Sequence, residues 1–326
     1  MPKNYQARSL LMYKVNRPLS DDEIRDHLPQ NMASYSDPWF ALTVIRMNST
    51  FLECVDKFYS IRGCLTVALF FVACYILGTL RMFFSELIDL PNVPDDEFSE
   101  AVMLLIFAFF VLIIPFSAFL VYGSRFELFR YTHYPLRFNR KTRMVHVFRP
   151  NGSVLSVPWD KIYFTLAVHG FDYWEVVGHI LAEDGKTILD TFPLSIRETR
   201  RSYDTKRPAL CQQWEFIRRY MEEGPEKLVD QVGIVHPIDK QKEAYITGFD
   251  RLFALVPPLG WIITFPTLFV CTLGRWIAMR TCKLPRWPQY VEDESAIEKN
   301  DPYIRDKDHL ADWATMRRLR NERFKE

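Results

Sequence analysis

Two stretches of this chain carry no charge over the length of a bilayer crossing. Gly63 to Leu80 reads GCLTVALFFVACYILGTL, and Ala101 to Tyr122 reads AVMLLIFAFFVLIIPFSAFLVY. About 20 uncharged residues match the helix that crosses a hydrocarbon core, whereas a helix on the surface of a soluble domain keeps a polar face toward water. The two windows predict a transmembrane helical hairpin over residues 61–124. Arg81 closes the first at a point from which a long side chain reaches the headgroups. Pro115 is tolerable in the second because neighbouring helices satisfy the carbonyl it frees.

The flanks orient this hairpin. Its connector, 85–100, carries Glu86, Asp89, Asp95, Asp96, Glu97 and Glu100 but no Lys or Arg. Arg46, Lys57 and Arg62 precede the first window, and Arg125, Arg130, Arg137, Arg140, Lys141 and Arg143 follow the second. Basic residues near span ends stay in the cytoplasm. The acidic loop is therefore expected outside, with the N-terminal region 1–60 and the bulk of the chain facing the cytoplasm. A third membrane-associated segment is expected over 245–280, where Leu252 to Gly274 is apolar but interrupted by Pro257, Pro258, Gly260 and Pro266. Basic residues lie on both sides of it, so a single crossing would carry a basic tail outward. A broken, re-entrant or interfacial segment with both ends cytoplasmic is expected in place of a third span.

From Tyr134 the pattern changes to short alternating runs: PLRFN, RMVHVFR, SVLSVPW, KIYFTLAVHG, YWEVVGHILA and TILDTFPL. Turn chemistry separates them at Arg140–Thr142, Pro150-Asn151-Gly152 and Asp184-Gly185, as between antiparallel strands. A helix is predicted over 208–223, opened by Pro208 and closed by Gly224-Pro225. Leu210, Trp214, Ile217 and Met221 fall on its buried face, and Arg218 is assigned to solvent. Strands closed by one helix follow the plan of a PH-like antiparallel β domain, expected over 130–235 and facing the cytoplasm. The predicted fold class is membrane α+β: an N-terminal transmembrane hairpin, this sheet domain, and a C-terminal broken or re-entrant apolar helix. Residues 281–326 read as a charged tail, with Leu310, Trp313, Met316 and Leu319 or Arg320 near helical spacing.

The charge balance, 41 basic against 40 acidic residues, creates no field that would attract nucleic acid. Six cysteines lie far apart, and Cys64, Cys74 and Cys271 sit inside the apolar windows, so neither a disulfide framework nor a zinc site is expected. No phosphate-binding glycine loop, GxSxG elbow or i, i+4 histidine pair occurs, and no catalytic residue, cofactor or metal is assigned. His133, His146, His169 and His179 read as strand histidines, and Asp95-Asp96-Glu97 as a solvated loop. Two groups invite a role at a membrane surface. Arg197, Arg200, Arg201, Lys206 and Arg207 form a basic run able to contact anionic headgroups, at about 1 kcal/mol per charge. Trp261, Trp276 and Trp287 flank the third segment beside basic residues, where indole rings anchor at the interface.

The stretches PLRFNRKTRMVHVFRPNGSVLSVPWD, WEFIRRYMEEGPEKL and PPLGWIITFPTLFVCTLGRWIAMRTCKLPRWP resemble a family of uncharacterised proteobacterial inner-membrane proteins often encoded beside type VI secretion toxins. The resemblance covers most of residues 55–290 and is most specific in WEFIRRYMEEGPE and RWIAMRTCK. It implies a place in the bacterial inner membrane and a non-enzymatic role, that of an immunity or accessory protein binding a cognate secreted toxin. It carries no catalytic residue across. The rival expectation is an envelope scaffold, or a module that reads lipid headgroups and recruits a cytoplasmic partner.

Overall fold

A computed structural model describes residues 13–89, 100, 102–104, 106–107, 109–169, 173–253, 261–308, 315 and 318. Its strands are β1 (Arg17–Pro18), β2 (Val44–Met47), β3 (Phe51–Cys54), β4 (Leu136–Asn139), β5 (Met144–Phe148), β6 (Val154–Pro158), β7 (Ile162–His169), β8 (Tyr173–Leu181) and β9 (Thr187–Thr199). Its helices are α1 (Asp21–Arg25), α2 (Cys64–Asp89), α3 (Ile114–Glu127), α4 (Arg200–Glu222), α5 (Tyr245–Phe253), α6 (Trp261–Thr281) and α7 (Gln289–Glu294). The fold is mixed α+β, with antiparallel sheets and one long apolar helix. Two units divide the chain: residues 1–60, 131–243 and 284–326 form the first, and residues 61–130 and 244–283 the second. Much of the acidic connector, part of the third apolar segment and most of the tail beyond 308 lie outside the described residues.

The first unit holds a five-stranded sheet in the order β2-β3-β4-β5-β6 and a four-stranded sheet in the order β1-β9-β8-β7. It takes in more than the 130–235 expected, because residues 17–54 supply three strands. β3 pairs with β4 from Phe51↔Asn139 to Cys54↔Leu136, so the whole of 61–130 is inserted between two neighbouring strands. β2 and β3 lack a period-2 signal because they are short and covered on both faces: every residue of β3 is buried, charged Glu53 included. Their turn is set locally, by the Asn48 side-chain oxygen accepting from the Thr50 and Phe51 amides at 2.8 and 2.9 Å. The turns expected at 140–142, 150–152 and 184–185 are present, with Arg143, Gly152 and Gly185 at φ 52°, 85° and 67°.

α4 closes this unit. Leu210, Trp214, Ile217 and Met221 are all buried on it. Trp214 stacks on Trp159 at 5.6 Å between centroids and tilts against Phe164 at 4.5 Å. Two expectations need correction. The helix begins at Arg200 and runs through Pro208, which removes one backbone donor without ending it. Arg218 is not on a solvent face: it is buried, donating to both Glu215 oxygens at 2.9 and 2.8 Å and to Glu223 at 2.7 Å. From Ala209 to Met221 only Gln212 and Arg219 are even partly exposed, so α4 is covered nearly all round. One-sided patterning does not describe such a helix.

In the second unit α2 runs two turns past Arg81. α3 packs on it, with Leu69 against Gly123 and Tyr75 against Phe116 at 4.8 Å. A π-helical turn, Phe109–Ile113, leads into α3, whose second residue is Pro115, a place at a helix start where proline is tolerated. α6 continues through Pro266, contrary to the break expected there, since a proline near a helix start costs a single hydrogen bond. It crosses α2 at glycines: a Cβ on Gly63 would lie 2.4 Å from the Arg275 Cα, and one on Gly274 2.4 Å from a Val67 methyl. Any side chain at either position would push the helices apart.

Candidate functional site

Two features stand out among the described residues, one in each unit. In the second unit, α2 is the one helix long and apolar enough to cross a membrane, and only 22% of its apolar window is buried. Phe70, Phe71, Leu77, Met82 and Phe84 on α2, with Phe116, Phe119 and Val121 on α3, are exposed. A contiguous apolar surface of this kind is foreign to the water-facing side of a soluble monomer. The N-terminus of α2 is built with care. The Glu127 carboxylate accepts from the Gly63 amide at 2.6 Å, the Thr66 amide at 2.5 Å and the Thr66 hydroxyl at 2.6 Å. A buried carboxyl group thus satisfies donors that a helix start leaves unpaired.

The first unit carries a row of polar side chains across one face of its five-stranded sheet. Arg46 on β2 stands opposite Glu53 on β3, Glu53 opposite Arg137 on β4, Arg137 opposite His146 on β5, and His146 opposite Ser156 on β6. Cross-strand register places all five on the same side. Arg137 is fully buried, donates to Glu53 through two nitrogens at 3.1 and 2.9 Å, and reaches Glu292 at 3.2 Å. Its guanidinium lies over the Phe51 and Trp287 rings, 4.5 and 4.9 Å from their centroids. Arg46 donates to Glu53 at 3.2 Å. His146 Nδ1 meets the Ser156 hydroxyl at 2.8 Å, that hydroxyl meets the Tyr290 hydroxyl at 3.1 Å, and His146 Nε2 lies 3.6 Å from a Glu294 oxygen. Trp287 and α7 thus cover the row.

Burial by itself would raise the Glu53 carboxyl, but the Arg137 and Arg46 guanidiniums and the Trp287 N–H outweigh it and hold it at about 2. Burial, with the Arg137 charge beside it, pushes His146 down to about 4. Both shifts act in the same direction on stability. The unfolded imidazole charges near pH ~6.5 while the folded one resists to about 4, so stability falls as pH drops across that interval. Glu53 adds stability above the ordinary carboxylate range, near pH ~4.3, which is lost as pH falls toward 2. The urea midpoint of the full-length protein is therefore expected to fall in two stages on acidification. His146→Gln should shrink the upper stage without abolishing it, because burial also holds His27 down. An unchanged upper stage would mean that His146 is not held neutral.

The residues singled out in the sequence scatter over both units. Trp287 belongs to the first unit, where its indole N–H donates to Glu53 at 3.2 Å; it is a cover for the polar row. Trp276 is partly exposed on α6 with the Arg280 guanidinium over its ring at 5.6 Å. Arg197 lies at the end of β9, and Arg200, Arg201, Lys206 and Arg207 in the first turns of α4; their side chains, like that of Trp261, lie outside the described residues. Of the histidines, His133 and His179 are buried beside Thr132 and Thr191 at 3.0 and 2.8 Å. Glu175 is buried against Lys57 and accepts from the Tyr13 hydroxyl at 2.6 Å. Among the described residues no three His, Cys, Asp or Glu side chains gather as metal ligands would. The polar row was missed because its members are spread over 110 residues of sequence and only strand register unites them.

A model of a family described as a family of unknown function, DUF6708, matches residues 110–299. No curated protein and no solved structure matches the chain.

Proposed function

The chain belongs to the DUF6708 family of unknown function, and from that premise we propose that it is an integral membrane protein that works by binding a protein partner. The outward-facing apolar surface of α2 and α3 carries this reading, since lipid is the environment in which Leu77 and Met82, 66% and 69% exposed, cost nothing. α2, with the Phe109–Ile113 turn and α3 packed along it, is read as part of the transmembrane hairpin expected over 61–124, its acidic connector 85–100 outside the cytoplasm. α5 and α6 are read as the two arms of a re-entrant or interfacial segment, and strands β4–β9 with α4 as a PH-like domain on the cytoplasmic side. Supporting the orientation is the charge of the flanks, six acids without a base against a run of arginines. Reporters fused after Phe98 should be active only outside the cytoplasm, and those after Gly185 and Glu326 only inside. Activity of the Glu326 fusion outside would make the third segment a true span.

The partner is a cognate secreted toxin of type VI secretion, against which the chain acts as an immunity protein of the bacterial inner membrane; the sequence resemblance supports this identity. Expressing the toxin encoded beside this gene should kill cells that lack the chain and spare those that have it. Protection by binding is spread over an interface, where single anchors contribute about 2 kcal/mol or more, whereas catalysis collapses by about 10²-fold or more on loss of one acid or base. Single substitutions of His133, His146, His169, His179, Asp172 and Glu175 that leave the protein folded should therefore leave survival largely intact. Complete loss from one of them, with membrane level and toxin binding unchanged, would reinstate an enzyme.

A further inference from the structure

A cavity of about 290 Å³ opens in the first unit at the outer edge of β2, between Arg46–Asn48, residues 239–241, Ile297 and residues 304–307. Its walls are fixed by backbone. Met47 and Arg305 exchange both amide hydrogen bonds, at 2.9 and 2.8 Å, so the 304–307 segment is tied to the edge strand. Arg46, Lys240, Arg305 and Lys307 line the cavity together with two acids, Asp239 and Asp306.

The cations are only partly matched. Arg46 bonds Glu53 and lies 3.9 Å from Asp239, yet its Nε is buried without a hydrogen-bond partner. Arg305 faces Asp230 at 3.6 Å, but that carboxylate is 94% exposed, where such a pair contributes little. Lys240 and Lys307 are exposed and form no ion pair among the described residues. Glu53 and Asp230 stand outside the lining but partner Arg46 and Arg305, so the lining cations without an ion pair among the described residues are Lys240 and Lys307. A phosphate monoester carries about −1.5 to −2 at neutral pH, a charge that a single carboxylate does not bring. Met47 and Ile304 add an apolar wall, and the volume sits at the small end of ligand pockets, roughly 300 Å³ and up.

We propose that this cavity binds a small organic phosphate monoester, its phosphoryl group among Arg46, Lys240, Arg305 and Lys307 and its carbon skeleton against Met47 and Ile304. The site is separate from the polar row apart from Arg46, and stands whether or not the chain protects against a toxin. The same chemistry is offered by a free metabolite and by a monoester lipid headgroup, and two arms of one experiment separate them. Full-length protein in nonionic detergent is titrated with glycerol 3-phosphate by calorimetry, and protein in nanodiscs of phosphatidylcholine is compared with protein in nanodiscs containing phosphatidic acid by thermal shift. Saturable binding of glycerol 3-phosphate assigns a soluble ligand; stabilisation confined to phosphatidic acid assigns a headgroup. In either arm the Lys240→Gln/Lys307→Gln double variant, changed only at exposed positions, should weaken the response at least tenfold, and raising salt should weaken it further. Absence of a saturable response in both arms up to about 10 mM monoester, or in its lipid equivalent, overturns the proposal. So does a response that the double variant leaves unchanged.

Discussion

Trp214→Ala is expected to lower the stability of the full-length protein by about 3–5 kcal/mol, read as a shift in the urea midpoint in nonionic detergent. The side chain is wholly buried between Trp159, Phe164 and the rest of the α4 face, so its removal leaves a void lined by aromatic rings. Rings locked against one another cannot collapse into that space, which puts the loss at the upper end for large-to-small changes. The control is Lys227→Ala, an exposed residue just past α4, where the change should stay within about 0.5 kcal/mol. Arg218 does not serve as that control, because it is buried in an ion pair with Glu215. Equal midpoint shifts for Trp214→Ala and Lys227→Ala would show that α4 does not pack as described.

The second large effect is at Glu53. Glu53→Ala removes the buried carboxylate shared by two guanidiniums, leaving Arg46 with Asp239 at 3.9 Å and the fully buried Arg137 with the half-exposed Glu292, and should cost about 3–5 kcal/mol. Such a number measures the penalty of a stranded charge; the net contribution of the pair is smaller. The two are separated by replacing both partners: Glu53→Leu/Arg137→Met should destabilise less than Glu53→Ala alone, since an apolar pair of similar volume needs no desolvation. If the double change is the worse of the two, the row contributes net stability that the apolar packing does not replace.

Much of this architecture was legible where the information is local. The turns at 150–152 and 184–185 depend on adjacent residues, as does the apolar face of α4, whose four predicted anchors are all buried. The long uncharged run of α2 was legible for the same reason. What could not be read depends on register between distant strands. Nothing in VIRM or FLEC announces a strand covered on both faces, and a buried Glu53 reads as a surface acid until Arg137 is set beside it. Trp287 misled in a similar way: an indole next to basic residues suits a membrane interface, and equally suits stacking on a buried guanidinium. Arg218 failed because amphipathic patterning assumes that one side of a helix meets water.

The insertion of 61–130 between β3 and β4 has a consequence for how the chain is made. Ribosomal synthesis runs at about 5–20 residues per second, so β3, already beside β2, waits several seconds before its second partner, β4, exists. The edge that later accepts Arg305, and the Thr50 hydroxyl that later donates to the Ala296 carbonyl, wait longer still. During that interval an apolar edge stands open to wrong pairing, which favours chaperone engagement of the first 60 residues. For the same reason a fragment cut to 130–235 would expose the unpaired side of β4, with Leu136 and Phe138 on it, and is expected to aggregate; joining residue 60 to residue 131 through a short loop instead keeps β3 and β4 together as an ordinary hairpin.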